Sequence, residues 1–150
     1  MPLPTTYRHA TRDWRAFLAD AKEELGLSSD NMAYTAVQGV LLTFRRRLTA
    51  QQGLAFADRL PAVLRAIFVA DWDLSRPPAP WATREILDAE ARSLRPHHNL
   101  TPPGAIAATA RALRAHVRQM DFERMLATLP PEARAFWHVE GADTITRKMT

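Results

Sequence analysis

The residues best suited to chemistry are five histidines, a run of three arginines and a few adjacent carboxylates. His97-His98 is a doublet of potential metal ligands in a segment bounded by Pro96 and Pro102. Adjacent histidines seldom ligate one ion without further ligands close by, so a solvated loop doublet is the preferred reading and no metal site is assigned. His116 stands beside the apolar face of a helix, where packing or a hydrogen bond between the two halves of the chain accounts for it. Glu23-Glu24 falls on the polar side of another helix. The 150 residues include no cysteine, which excludes disulfides, thiolate ligands and Cys nucleophiles. Five scattered glycines form neither a phosphate-binding loop nor a Gly-x-Ser-x-Gly elbow. No nucleophile, base and orienting acid assemble from spacing, so neither a catalytic residue nor a cofactor is expected.

Arg45-Arg46-Arg47 is the densest positive charge, and Arg45 recurs 69 residues later as Arg114. Four such arginines make a candidate anion-binding or nucleic-acid-contacting patch, since guanidinium groups replace phosphate counterions. A solvated helix end whose cations complement the helix dipole explains the run more plainly. That account is preferred because the second occurrence reads Arg114-Ala115-His116. Global charge adds little: 20 Lys+Arg against 16 Asp+Glu leave +4, and 18 of the bases are arginine. Residues 1–75 carry +1 and residues 76–150 carry +3, so neither half has a strong field. Trp72, Trp81 and Tyr34 flank or precede a Pro-rich stretch, where they either form a contact surface or pin that stretch to the protein.

The elements that must position these groups are helical almost throughout. Trp14, Phe17, Leu18, Ala21 and Leu25 form a core-facing stripe, with Asp13 as the expected N-cap and Gly26 as the C-terminal cap. Ser28, Ser29 and Asp30 offer the next N-cap, before a four-turn stripe of Ala33, Val37, Val40, Leu41, Phe44 and Leu48. Thr49 opens a short helix carrying Leu54, Phe56 and Ala57. Leu60-Pro61 begins another, presenting Leu64, Ile67 and Phe68. Pro77, Pro78 and Pro80 interrupt the pattern. It then resumes with Ile86, Leu87, Ala91 and Leu94 on a helix from Arg84, with Ile106, Ala110, Leu113 and Val117 on an Ala-rich helix, and with helices around Phe122 and Phe136-Trp137. No alternating pattern is long enough for a sheet, and no window approaches the 18 apolar residues of a membrane span. The polar start, Met1–Trp14, lacks a signal-peptide core, so a cytoplasmic location is expected.

Sliding the chain by 69 residues without gaps aligns Arg15 with Arg84, Leu18 with Leu87, Leu25 with Leu94, Ala36 with Ala105 and Arg45 with Arg114. Leu60-Pro61 meets Leu129-Pro130, and Arg65-Ala66 meets Arg134-Ala135. Helix phase and loop positions agree as well. The expectation is an all-α helical bundle of two tandem four-helix repeats related by pseudo-symmetry. Copy one spans 13–72, a Pro-rich linker 73–81, copy two 82–141 and a tail 142–150, fused into a single domain over 1–150. A sixty-residue unit is marginal alone, which favours packing of one copy on the other. The small flank Ala36, Gly39, Thr43, mirrored by Ala105, Ala108, Ala112, marks a seam where the two long helices could cross. For repeated Arg65 and Arg134, an ion pair within the copy or a helix-cap contact is expected.

The stretch Ala33–Trp72, with its Leu60-Pro61-x-Val63-Leu64-Arg65-Ala66-Ile67-Phe68 core and Asp71-Trp72-Asp73 ending, resembles the bacterial family catalogued as domain of unknown function 2267. The resemblance implies an all-helical protein with two related halves and brings no activity or site with it. The second half departs from the pattern, because Gly141 stands where Trp72 stands in the first. Three functions follow in order of preference: a non-catalytic protein-interaction module, with a protein partner or self-association; a weak nucleic-acid or anion binder through Arg45, Arg46, Arg47 and Arg114; and a small-molecule site or enzyme between the copies.

Overall fold

The computed structural model describes residues 2–94 and 101–140, and among them only helices and connecting loops occur. His97-His98 and Gly141 lie outside the described residues. In chain order the helices are α1 (Thr5–Arg8), α2 (Ala10–Leu25), α3 (Asp30–Arg45), α4 (Ala50–Ala57), α5 (Ala62–Val69), α6 (Arg84–Ser93), α7 (Ala105–Arg114), α8 (Gln119–Leu126) and α9 (Pro131–Trp137). None is long and apolar enough to cross a membrane.

Local chemistry sets most boundaries. Gly26 ends α2 in the left-handed conformation at φ 67°, where a side chain would be strained. Ser29 caps α3 by accepting from the Met32 N–H at 3.1 Å. Thr49 and Gln52 cap α4 reciprocally, which fixes its entry immediately after the arginine run. Two starts differ from the sequence reading. Asp13 is not the N-cap of α2, because the helix begins at Ala10 and the Asp13 N–H already bonds to the His9 carbonyl at 2.9 Å. Likewise α8 begins at Gln119, ahead of Phe122. In both helices the added turn is mostly polar, so hydrophobic periodicity carried no sign of it.

The stripe on α3 is buried throughout, and α2 presents Phe17, Leu18, Ala21 and Leu25 to the interior. Packing is interlaced: α2 lies most extensively on α7, α3 on α6, and α4 touches α8. A cluster of rings closes the centre. Phe44 stands 4.7 Å from Phe56 and 4.9 Å from Phe136, while Trp137 stacks on Phe56 at 5.3 Å. Leu54 and Ile86, expected among the apolar positions of their helices, are instead more than half exposed, at 54% and 57%. Ile86 sits one residue, or about 100° of helix, off the Leu87–Ala91 stripe. The small-residue flank is buried, but Gly39 does not face α7. A Cβ there would overlap the Ala91 carbonyl oxygen and stand 3.4 Å from its carbon, so glycine admits the backbone of α6.

Candidate binding groove

The C-terminal end of α3 meets the Pro-rich segment at an open groove of about 360 Å³. Two backbone-directed bonds hold that segment in place. The Ala79 N–H donates to the Arg46 carbonyl at 2.7 Å, and Arg47 Nε donates to the Pro80 carbonyl at 3.2 Å. Trp81 then packs its ring 6.0 Å from Phe44. On the other wall, Asp71 adopts φ 55°, an uncommon conformation that Asp tolerates better than most residues. This left-handed residue leads into Trp72, whose indole is laid over Gly53. A Cβ at position 53 would overlap the Trp72 ring, so glycine is what makes the seat.

Each of the four candidate arginines has a distinct setting. Arg45 Nη1 donates to the carbonyls of Phe68 at 2.9 Å and Ala70 at 2.8 Å, and its guanidinium lies 5.5 Å from the Trp72 ring centroid. It thereby ties the end of α5 to the end of α3. Burial lowers the Arg45 pKa from its ordinary value, and the nearby Asp71 carboxylate opposes that shift. Arg46 is exposed and stands 3.5 Å from a Glu90 oxygen. Arg47 points inward, with only 5% of its side chain exposed. It grips Glu90 of α6 with both terminal nitrogens, one bond measuring 3.0 Å, and Nη1 also donates to the Thr43 carbonyl at 2.9 Å. Arg114 is buried too: Nε donates to the Trp137 carbonyl at 2.8 Å, Nη1 bonds to Glu123 and Gln119, and Phe122 lies 5.3 Å beneath it.

The structure thus gathers Arg45 and Arg46 at one groove, turns Arg47 into the interior beside it and places Arg114 in a separate interior network. Three charged groove residues were not marked as candidates in the sequence. Arg76, exposed in the Pro-rich segment, lines the groove, as do Asp71 and Asp73. Asp73 accepts from the Ser75 hydroxyl at 2.6 Å and N–H at 3.0 Å. Those bonds, with Arg76 nearby, hold its carboxyl below the ordinary value. Glu90 was also missed, since its partner Arg47 lies 43 residues away and no local pattern relates them. Leu42 from α3 and Leu48 from the turn after it, with Pro77, Pro78 and the Trp72 indole, give the groove its apolar surface. A smaller hollow of about 110 Å³ adjoins it, sharing Leu42 and Leu94.

The other candidates occupy structural contacts. His116 Nε2 lies 2.6 Å from Asp20 Oδ2, with the ring edge-on to Phe17 at 5.7 Å, so it joins the end of α7 to α2. It borders a second hollow of about 300 Å³, with Asp13, Asp58, Arg59, Arg118 and Asp121. Arg65 makes the helix-cap contact rather than an ion pair, donating Nε to the Ala57 carbonyl at 3.0 Å. Glu24, read as solvated, pairs with Arg111 of α7 at 2.6 Å. Tyr34 stands edge-on to Trp14 at 6.4 Å.

Comparison with known proteins gives a family and no activity. The family model described as "Uncharacterized conserved protein (DUF2267)" matches residues 14–136, and the chain belongs to that family. No curated protein matches it.

Proposed function

We propose that the protein is a non-catalytic protein-interaction module of the bacterial cytoplasm, whose contact surface is the groove at the end of α3. The observation that carries this reading is the make-up of the groove. It combines exposed Arg46 and Arg76 with Trp72, Leu42, Pro77 and Pro78. Aromatic and arginine side chains over an apolar floor are the enriched components of protein–protein interfaces. Inward-turned Arg47 and Arg114 leave a nucleic acid fewer cations to meet than the sequence offers, which favours the protein partner.

The scaffold is proposed as two tandem copies, 13–72 and 82–141, joined by the 73–81 linker into one pseudo-symmetric domain. Helix positions support it: α4 and α8 each have eight residues, Ala50–Ala57 and Gln119–Leu126, spaced by the same 69 residues as the sequence matches. The interlaced packing supports it as well, because α2 on α7 and α3 on α6 are the two halves of one exchange. Arg45 to the Phe68 carbonyl and Arg114 to the Trp137 carbonyl are counterpart bonds, each spanning 23 residues.

A photo-cross-linking residue introduced at Leu74, 62% exposed near the groove, tests the reading in cells. One at exposed Ala127 on the end of α8 is the control. A discrete protein adduct, identified by mass spectrometry and formed from position 74 alone, is expected. Equal adducts from both positions, or none, would remove the interaction reading.

A further inference from the structure

We infer that the groove recognises a carboxylate on an acidic, partly apolar segment of a partner protein, held by Arg45, Arg46 and Arg76. The inference rests on the interaction reading above and adds the partner's chemistry. Its main support is the contrast between Arg45 and its counterpart 69 residues on. Arg114 has an anion of its own, the Glu123 carboxylate, and the Gln119 amide oxygen beside it. The positions corresponding to Glu123 and Gln119 in the first half are Leu54 and Ala50, whose side chains can accept no hydrogen bond. Arg45 spends Nη1 on two carbonyls, leaving the Nε and Nη2 protons without an acceptor among the described residues.

The surrounding charges do not fill this gap. Asp71 acts on Arg45 without coming within ion-pair distance, and Asp73 is taken up by Ser75. Glu90 is held by both terminal nitrogens of Arg47, so Arg46 meets only an oxygen already engaged. Arg92 lines the adjoining hollow, while at the end of α3 Arg45, Arg46, Arg47 and Arg76 against Asp71, Asp73 and Glu90 leave, among the described residues, one positive charge over. One carboxylate balances it. The Leu and Pro surface suits the carbon body that a peptide carries and a free phosphate lacks. The adjoining hollow continues the groove past Leu42 toward Thr35, so the track follows α3 from position 46 to 35. Eleven residues of helix rise about 16 Å, which an extended peptide covers with about five residues.

The test is titration of the full-length protein with a panel of capped pentapeptides. Each carries one Asp or Glu among Leu, Val and Ser, and each is paired with its Asn or Gln analogue. Binding is read from the ¹⁵N shifts of the arginine Nε–H signals. The best acidic peptide is expected to bind at least tenfold more tightly than its amide and to move the Arg45, Arg46 and Arg76 signals. Arg46→Gln and Arg76→Gln, both surface changes, should each weaken it about threefold to fivefold. Arg124→Gln, an equal charge loss at an exposed side chain of α8, should change it by less than twofold. Equal weakening by Arg124→Gln would reveal only diffuse attraction and overturn the site. Equal binding of acid and amide, or of no peptide, would overturn the carboxylate. Inorganic phosphate moving the same signals at lower concentration than every peptide would replace the peptide with a free oxyanion. Should the Leu74 adduct form unchanged in the Arg46→Gln/Arg76→Gln variant, this inference fails while the interaction reading stands.

Discussion

Gly53→Ala sets two opposing effects against each other, and the structure decides which wins. Gly53 is inside α4, where alanine is favoured over glycine by about 1 kcal/mol. The new methyl group would overlap Cη2 and Cζ3 of Trp72 and stand 3.3 Å from Cζ2, so the indole must leave its seat. Trp72 is partly buried, and losing about 80 Å² of apolar contact costs ~2 kcal/mol at ~25 cal/mol per Å². Moving the ring from under Arg45 forfeits a further ~0.5–1 kcal/mol. The net is a destabilisation of ~1.5–2 kcal/mol, or about 3–8 °C in Tm for a domain of this size. In a Trp72→Ala background the seat is empty, only the helical preference remains, and the same substitution should raise Tm by about 2–4 °C. Thermal unfolding followed by circular dichroism on the four proteins of this cycle measures the reversal. Tryptophan emission should also shift to the red in Gly53→Ala alone. A rise in Tm in both backgrounds would refute the seating of Trp72 on Gly53, and with it this account of the groove wall.

Other substitutions probe the elements around the groove. Gly39→Ala should destabilise by about 1–3 kcal/mol in urea unfolding despite the better helix former, because α6 must back away from α3; an unchanged midpoint would contradict the close approach. Glu90→Ala leaves Arg47 inside without its carboxylate and should cost about 3 kcal/mol, while Arg47→Met/Glu90→Leu should recover most of it. A loss below 1 kcal/mol in the single variant would mean that water reaches Arg47 freely. Asp73, whose carboxyl sits below its ordinary value, favours the folded linker turn above the unfolded pKa. That contribution is lost as pH falls through the lowered folded value. Ser75→Ala should move the Asp73 titration upward by NMR, and no movement would exclude the Ser75 hydroxyl bond as a cause.

How much of this was legible in the sequence depends on how local each interaction is. The stripe on α3 could be read because a long helix repeats its pattern and Ser29 and Thr49 announce its neighbours. The starts of α2 and α8 could not, since their first turns carry mostly polar residues that satisfy any conformation equally well. The candidate arginines show the same division. Their presence and the recurrence of Arg45 as Arg114 are sequence facts, whereas their directions are set by tertiary partners. Arg47 turns inward because Glu90 arrives from α6, and Arg45 bends toward α5 because two carbonyls there lack helical donors. Gly39 illustrates the limit differently. Its small size correctly signalled a close approach, but size alone does not say which helix approaches.

Under the two-copy reading, Gly53 and its counterpart Phe122 set the two halves apart. In the first half a ring lies under Arg45, supplied by Trp72 and admitted by Gly53. Sixty-nine residues on from Gly53 stands Phe122, and its ring lies under Arg114. The second half thus supplies from helix α8 the ring that the first half takes from the chain after α5. The exchange alters the electrostatics as well as the packing. With the ring built into α8, the next residue, Glu123, reaches the guanidinium, and Arg114 becomes a closed, neutral node at 7% exposure. With the ring brought in by Trp72, the chain continues along the groove wall, and among the described residues Arg45 keeps free donors beside open space. Under the two-copy reading, one copy has an arginine with no carboxylate partner among the described residues where the other has neutralised it. That asymmetry places the proposed contact surface on one half only, and it predicts that Leu54→Glu, which restores the missing carboxylate to α4, raises Tm and weakens acidic-peptide binding together.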